Sequence, residues 1–242
     1  MGENRPSNDR TRREGEEGRD MAEALQEMAD TYDEQGFLVA PRLFGREEAK
    51  RLKEATRAIV ESVRREAADA GRNPKDVLHN GVCVGLAVRS AVFRDAVADA
   101  RLLDILEVVI GRNVEFLSDK VVFKNDATVY GSPWHQDWPY WRGTHKVSVW
   151  VALDDARVAN GTLKVLPGSH HEPVLHDGDA SDGLGFGHRL RPDGVDEERA
   201  VTVELEAGGA LFFHDLTLHA SHPNVSGADR WVWIPTYRDA RA

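Results

Sequence analysis

Cysteine is almost missing from this 242-residue chain, where Cys83 stands alone. One thiol excludes an internal disulfide framework and a thiolate metal cluster, and it fits a reducing compartment. No apolar run reaches the roughly 20 residues that cross a bilayer. The N-terminal stretch lacks the apolar middle of a secretory signal, and Pro6 stands where myristoylation of Gly2 needs Ser or Thr. Basic residues are the minority, 31 against 41 acidic, for a net charge of −10. No basic block falls inside the globular part, which argues against nucleic acid or an anionic membrane as partner. The expectation is a cytoplasmic protein that handles a small molecule. What the chain does have is 41% hydrophobic content, enough for one substantial core and a single domain.

Residues 1–20 are Arg, Glu, Gly, Asn and Asp with almost no apolar side chain, and such a stretch reads as a disordered tail. The rest, 21–242, reads as one domain. Its first part, about 21–112, is helical in pattern. Met21, Ala24, Leu25 and Met28 share one helical face, and Leu52, Ala55, Ile59 and Val63 make the stripe of a long helix ending near Gly71. A third helix is expected from about Arg89 to Ile110, stopped by Gly111. Between the first two, Gly36 to Pro41 reads as a short strand.

From about 113 to 238 the pattern changes to strands: 114–123, 146–153, 162–165, 200–204, 210–214 and 231–236. Turn residues separate them, among them Asn160-Gly161, Pro167-Gly168 and Gly208-Gly209. Many short strands with Gly-rich turns predict a mainly β fold with flanking helices, a double-stranded β-helix or jelly roll. Residues 171–198 are polar, glycine-rich and too long for an ordinary connection, so they read as a disordered surface excursion or a lid over a site, a partly mobile lid being the favoured reading.

The chemistry concentrates in Trp134-His135-Gln136-Asp137-Trp138. On a strand, residues two apart share a face, so His135 and Asp137 can offer an imidazole nitrogen and a carboxylate oxygen to one ion. A second histidine would complete a two-histidine, one-carboxylate facial triad, the donor set of non-haem Fe(II) oxygenases. His214, His219 and His222 all stand near the C-terminus. If that segment is extended, His219 and Ser221 share a face while His222 points away.

In order, His-x-Asp, a distant His and an Arg eleven residues after it match the 2-oxoglutarate-dependent oxygenases. Trp134-His135-Gln136-Asp137, Asn160 to Leu163, Pro167 to His170, Leu218 to Ser221, Pro223 to Ser226, Arg230 and Tyr237 together resemble the phytanoyl-CoA dioxygenase family. More loosely, the likeness extends from about Tyr32 to Arg238. It implies that His135, Asp137 and His219 are the catalytic metal ligands and that Fe(II), 2-oxoglutarate and O2 are the cofactors. It also assigns Arg230 to the far carboxylate of the cosubstrate, with Arg238 as rival. A guanidinium suits that role because it donates two parallel hydrogen bonds and stays charged. Ser221 and Trp150 complete the cosubstrate pocket.

The implied reaction is hydroxylation of a small molecule, a secondary metabolite or modified amino acid, with release of succinate and CO2. Asp137 supplies the carboxylate that halogenating relatives lack, which favours hydroxylation. Trp138, Tyr140 and Trp141 are candidate substrate-pocket walls, with core packing an equal alternative. His170 and His171 read as structural or lid residues, and Lys124 is within reach of the pocket but unassigned. Two other readings stay open: a non-oxidative jelly roll with Zn or Mn at the same triad, and an oxygenase that desaturates or cyclises.

Overall fold

A computed structural model of the chain describes residues 8–73, 77–78, 81–126, 128–179, 181 and 186–241. Two antiparallel sheets form its centre. The larger contains β1 (Phe37–Ala40), β2 (Val82–Val84), β3 (Val114–Lys124), β4 (Val147–Ala152), β7 (Ala210–His214) and β9 (Arg230–Asp239), in the spatial order β1-β7-β4-β9-β3-β2. The smaller contains β5 (Leu163–Val165), β6 (Val201–Val203) and β8 (His219–Ser221), in the order β6-β5-β8.

Period-two alternation decides which face each residue joins. Val147, Val149 and Val151 of β4, Ala210 and Phe212 of β7, and Trp231 and Trp233 of β9 face the helical layer, in one cluster with Leu52, Ile59, Leu102 and Leu106. Their neighbours Trp150, Ala152, Leu211, Phe213, Val232 and Ile234 face the smaller sheet and meet Leu163, Val165 and Val203. Both faces of the large sheet are therefore covered, and all six residues of β4 are buried. The mainly β architecture with flanking helices is the one expected from the turn-rich strand pattern.

The helices are α1 (Asn8–Gln35), α2 (Arg46–Asp69), α3 (Leu86–Arg89), α4 (Ala91–Ala96), α5 (Ala100–Ile110) and the single turn α6 (Trp138–Trp141). Three differences from the sequence reading have local causes. The helix expected from Arg89 to Ile110 is three pieces. Ser90 is extended at φ −141°, ψ 133°, and Asp99 opens α5 as an N-cap whose side chain accepts from the Arg101 N–H. Helix α1 begins at Asn8, inside the stretch that composition assigns to a tail, where Arg and Glu favour helix once Pro6 is passed; residues 1–7 of that stretch lie outside the described residues. The short strand β2, which pairs with β3 through Cys83 and Val121, carries no turn signal that would reveal it.

One turn holds the helical layer to the sheets. Gly208 has φ +96°, and its carbonyl accepts from the Phe44 N–H at 2.9 Å. An added Cβ would fall 2.1 Å from the Phe44 carbonyl oxygen. Gly208→Ala therefore meets both a disfavoured φ and a backbone clash. It should lower unfolding stability by about 2–3 kcal/mol, read as a shift in denaturant midpoint. An unshifted midpoint would show that the turn relaxes without cost.

Candidate active site

The inner face of the large sheet and the edge of the small one enclose a cavity of about 360 Å³. His135 and His219 meet there through reciprocal backbone hydrogen bonds, His135 N–H to His219 O at 3.1 Å and His219 N–H to His135 O at 3.0 Å. The pairing brings the two imidazoles together, tilted at 46° with ring centroids 4.2 Å apart. In each ring Nδ1 faces a carbonyl, Pro133 O at 2.8 Å for His135 and Thr217 O at 2.9 Å for His219. A carbonyl only accepts, so both Nδ1 atoms carry the proton and both Nε2 lone pairs are free. The two Nε2 atoms lie 3.8 and 3.9 Å from the same Asp137 oxygen, Oδ1.

Asp137 arrives by a different route from the one strand alternation suggests. Only His135 forms a bridge, while Asp137 has φ −75°, ψ −29° and caps α6. Its N–H and that of Trp138 donate to Asp215 O at 2.9 and 3.0 Å, and Ser148 Oγ donates to its Oδ2 at 3.4 Å. The turn, not the pleat, aims the carboxylate.

Electrostatics prepare the three groups as ligands. Burial, with the neighbouring His219, pushes the His135 pKa down to about 3, and burial lowers that of His219. For Asp137, burial acts to raise the pKa, but Lys120 and the two imidazoles outweigh it and the net shift is downward. Two neutral imidazoles and an ionised carboxylate, with tautomers locked by carbonyls, are what a divalent metal requires of its ligands.

The other end of the cavity is cationic. Lys120, Val122 and Lys124 of β3 alternate onto the inner face; the charge of Lys120 acts on the triad, while Lys124, paired in register with Arg230 of β9, belongs to the other end. Arg230 is 2% exposed. Its Nη2 donates to Gly161 O at 3.1 Å, its guanidinium carbon stands 5.3 Å from the centre of the Trp150 ring, and Nε and Nη1 find no partner among the described residues. Lys124 Nζ donates to Ser221 Oγ at 2.8 Å and to His222 O. Burial, aided by the Arg230 charge, brings the Lys124 pKa down to about 7. Burial, opposed by the Asp154 charge, brings that of Arg230 to about 10, so the guanidinium stays charged at neutral pH. Like charges directly opposite on adjacent strands repel. Two buried cations with unfilled donors call for an anion between them.

The sequence-derived set is thus largely gathered in one place. His135, Asp137, His219, Arg230, Ser221, Trp150, Tyr140 and Trp141 all line the cavity. Trp138 does not; its Nε1 turns away and donates to Gly143 O at 3.4 Å. The rejected rivals are engaged elsewhere: Arg238 donates to Glu115 at 2.7 Å, and the His222 ring meets Thr202 Oγ1 at 3.2 Å. Lys124, unassigned from sequence, belongs to the site, as do Lys120 and Phe186. Alternation along β3 is the signal that could have found the two lysines.

Of residues 171–198, described apart from 180 and 182–185, Phe186 lines the cavity. Phe186 packs edge-on to the His135 ring at 5.0 Å. Gln136, on the far side of the motif from the ligands, receives the Val174 N–H on Oε1 at 2.9 Å and donates to Glu172 O at 3.0 Å. Trp134 O accepts from the Leu190 N–H at 2.9 Å. Within one five-residue motif, His135 and Asp137 face the cavity while Trp134 and Gln136 bond Glu172, Val174 and Leu190.

Comparison with known proteins agrees with this geometry. The family model for phytanoyl-CoA dioxygenase (PhyH) matches residues 32–232. L-proline trans-4-hydroxylase of Streptomyces griseoviridis is 27% identical over 234 residues, covering 85% of this chain and 83% of the relative. An ectoine dioxygenase of Nocardia farcinica is 27% identical over 226 residues, covering 84% and 74%. The crystal structure of EvdO2 from Micromonospora carbonacea var. aurantiaca, complexed with 2-oxoglutarate, superposes with a TM-score of 0.68 at 22% identity over 88% of this chain and 90% of that one, a likeness of fold. The chain belongs to the phytanoyl-CoA dioxygenase family and is an Fe(II)- and 2-oxoglutarate-dependent dioxygenase.

Proposed function

We propose that the enzyme hydroxylates a small molecule bearing an anionic group, a modified amino acid or acidic secondary metabolite, with His135, Asp137 and His219 holding the iron and Arg230 the cosubstrate. The observation that carries this reading is Arg230: a guanidinium 2% exposed, with Nε and Nη1 unpartnered among the described residues, at the closed end of the cavity that holds the triad. A non-oxidative metal protein gives that cation nothing to bind.

Fe(II) with 2-oxoglutarate supplies the O2 activation and oxidative decarboxylation that yield succinate, CO2 and a hydroxylated product. The chain's own residues do the rest. His135 and His219 present Nε2 because Pro133 O and Thr217 O hold the opposite proton. Arg230 and Lys124, with Ser221 bonded to Lys124, take the far carboxylate and fix the cosubstrate's direction. Tyr140, Trp141 and Phe186 exclude water from the substrate side.

The anionic character of the substrate follows from charge. Among the residues lining the cavity, Lys120, Lys124 and Arg230 are cationic and Asp137 is the single carboxylate. A divalent ion adds two positive charges and the cosubstrate removes two, so positive charge remains for a further anion. The relatives named for L-proline and ectoine also act on small molecules. Offering free amino acids beside their amides, and reading succinate release and a one-oxygen mass gain, tests the class. Preference for the amides, which lack the carboxylate, would sink it.

Three further outcomes are expected. Replacing His135 or His219 by Ala should abolish Fe(II) binding and succinate formation while circular dichroism stays native; loss of the fold instead would make the metal structural. Arg230→Ala should raise the half-saturating 2-oxoglutarate concentration by about 10–100-fold, the worth of a charge-assisted hydrogen bond of ~1.5–3 kcal/mol, with Fe(II) affinity little changed. Arg238→Ala should do neither, and the reverse pattern would transfer the role.

The third concerns pH. Free Lys124 titrates at about 7, and a bound carboxylate favours its charged form, so the bound-state pKa is higher. Affinity for 2-oxoglutarate should be level below pH 7 and should fall as pH rises from about 7 toward the bound-state value. Titration calorimetry across that range should show the fall in the native enzyme and its disappearance in Lys124→Met. A pH-independent affinity in the native enzyme would remove Lys124 from the cosubstrate site.

A further inference from the structure

Arg230 and Lys124 serve the cosubstrate end of the cavity, which leaves the cation at the other end without a task. Lys120 lies four residues before Lys124 on the same face of β3, so their α-carbons are roughly 13 Å apart. Its register partners fix its surroundings. Ile234 of β9 stands on one side, buried in the cavity wall, and Val84 of β2 stands on the other, 67% exposed. Residues paired across strands share a face, and β2 is the last strand of the large sheet. Lys120 therefore sits where the wall passes from the buried interior toward the open edge, opposite in character to the enclosed Arg230.

Its ammonium makes no hydrogen bond or ion pair with any described residue, whereas Lys124 is held by Ser221 and His222. Water can solvate a lysine that leaves the protein, but this one lies on the inner face and lines the cavity. The charge it faces is Asp137, the single carboxylate among the described lining residues. Burial acts to raise the Asp137 pKa, and the Lys120 charge is the largest of the effects that bring it down instead.

That balance holds only while the triad is empty. A divalent ion bound by Asp137 takes over its negative charge and adds two positive ones, leaving Lys120 as a cation near a cation. The cosubstrate's far carboxylate is committed to the opposite end. What offsets Lys120 is a further anion, arriving on the side where Phe186 and Tyr140 stand 5.0 and 6.4 Å from the His135 ring.

We propose that Lys120 is the substrate-selecting residue of this enzyme, its ammonium pairing with a carboxylate of the molecule to be hydroxylated. The inference rests on the reading of the cavity as an oxygenase site for an anionic small molecule, and names the group that recognises the charge. A compact ammonium on a flexible stem takes a carboxylate without demanding one approach direction. Lys120 thus selects charge, while the aromatic walls select shape. It also governs which carbon is oxidised, because the carboxylate is tethered to β3 while the His135–His219 bridge fixes the triad.

Benzoate and benzamide are the probes, since they match in ring and size and differ in charge. Calorimetry is run anaerobically on the full chain loaded with Fe(II) and 2-oxoglutarate, following the visible charge-transfer band of the chelated cosubstrate in parallel. The native enzyme should bind benzoate at least about tenfold more tightly than benzamide, with the band retained. Lys120→Met should remove that preference, and Lys120→Arg should keep most of it. Lys120→Gln carries the same expectation as Met and leaves a polar end on the strand. Half-saturating 2-oxoglutarate should stay within about twofold in the Met and Gln variants, because Arg230 is distant. A native enzyme without the preference would sink the anionic-substrate reading and this inference with it. A preference that survives in Lys120→Met and Lys120→Gln would overturn the role of Lys120 alone. Loss of 2-oxoglutarate affinity in those variants, of the size expected for Arg230→Ala, would move the lysine to the cosubstrate and overturn it equally.

Discussion

The reciprocal backbone pair between His135 and His219 is the contact on which the site depends. It is a single bridge between the segment entering α6 and the edge of the small sheet, and it brings together residues 84 positions apart in sequence. Each residue contributes its own N–H and carbonyl to the bridge, so its ring has only one place to go. The carbonyls two residues back, Pro133 O and Thr217 O, then fix the tautomers. The orientation of both imidazoles thus comes from main-chain geometry.

Around that bridge, the large sheet divides labour by parity. Odd positions of β4 and β9 build the helical-side core with Trp231 and Trp233, and even positions build the cavity with Ser148, Trp150, Arg230 and Ile234. One pleat therefore serves stability on one face and chemistry on the other. The motif follows the same economy, since Trp134 and Gln136 bond Glu172, Val174 and Leu190 with the positions that do not face the cavity.

Much of this was legible in the sequence, and the reasons differ by residue. Strands β3, β4, β7 and β9 are long or strongly alternating, so period two reveals them. The spacing from His219 to Ser221 and Arg230 holds because β8 and β9 are extended on both sides of one turn. His135 and Asp137 do converge, but the strand argument for them fails at Asp137, whose helical φ and ψ are set by the Asp215 carbonyl seventy-eight positions away. Lys124 was legible in parity yet not in consequence. Only the register of β3 against β9 places it opposite Arg230, and register between distant strands is a tertiary fact. Asp215 had no signature, because a lone carboxylate after a strand is ordinary until its hydrogen bonds from Trp141, His145 and the Lys146 N–H are seen.

The Lys124–Arg230 pair also shows how binding and stability are linked in this protein. Burying two cations side by side costs free energy that the fold must supply from elsewhere, chiefly the apolar core on the opposite face of β9. The depressed pKa of Lys124 expresses that cost: below about pH 7 the empty pocket must hold a charge it disfavours. A bound dicarboxylate would offset the repulsion and fill the open Arg230 donors together. Any ligand bound only by the folded state stabilises it, and here the same interaction relieves a conflict built into the empty pocket. The arrangement is poor for stability alone and good for selecting an anion at one end and a metal at the other. That combination, more than any single residue, marks the cavity as a site for chemistry and not a packing defect.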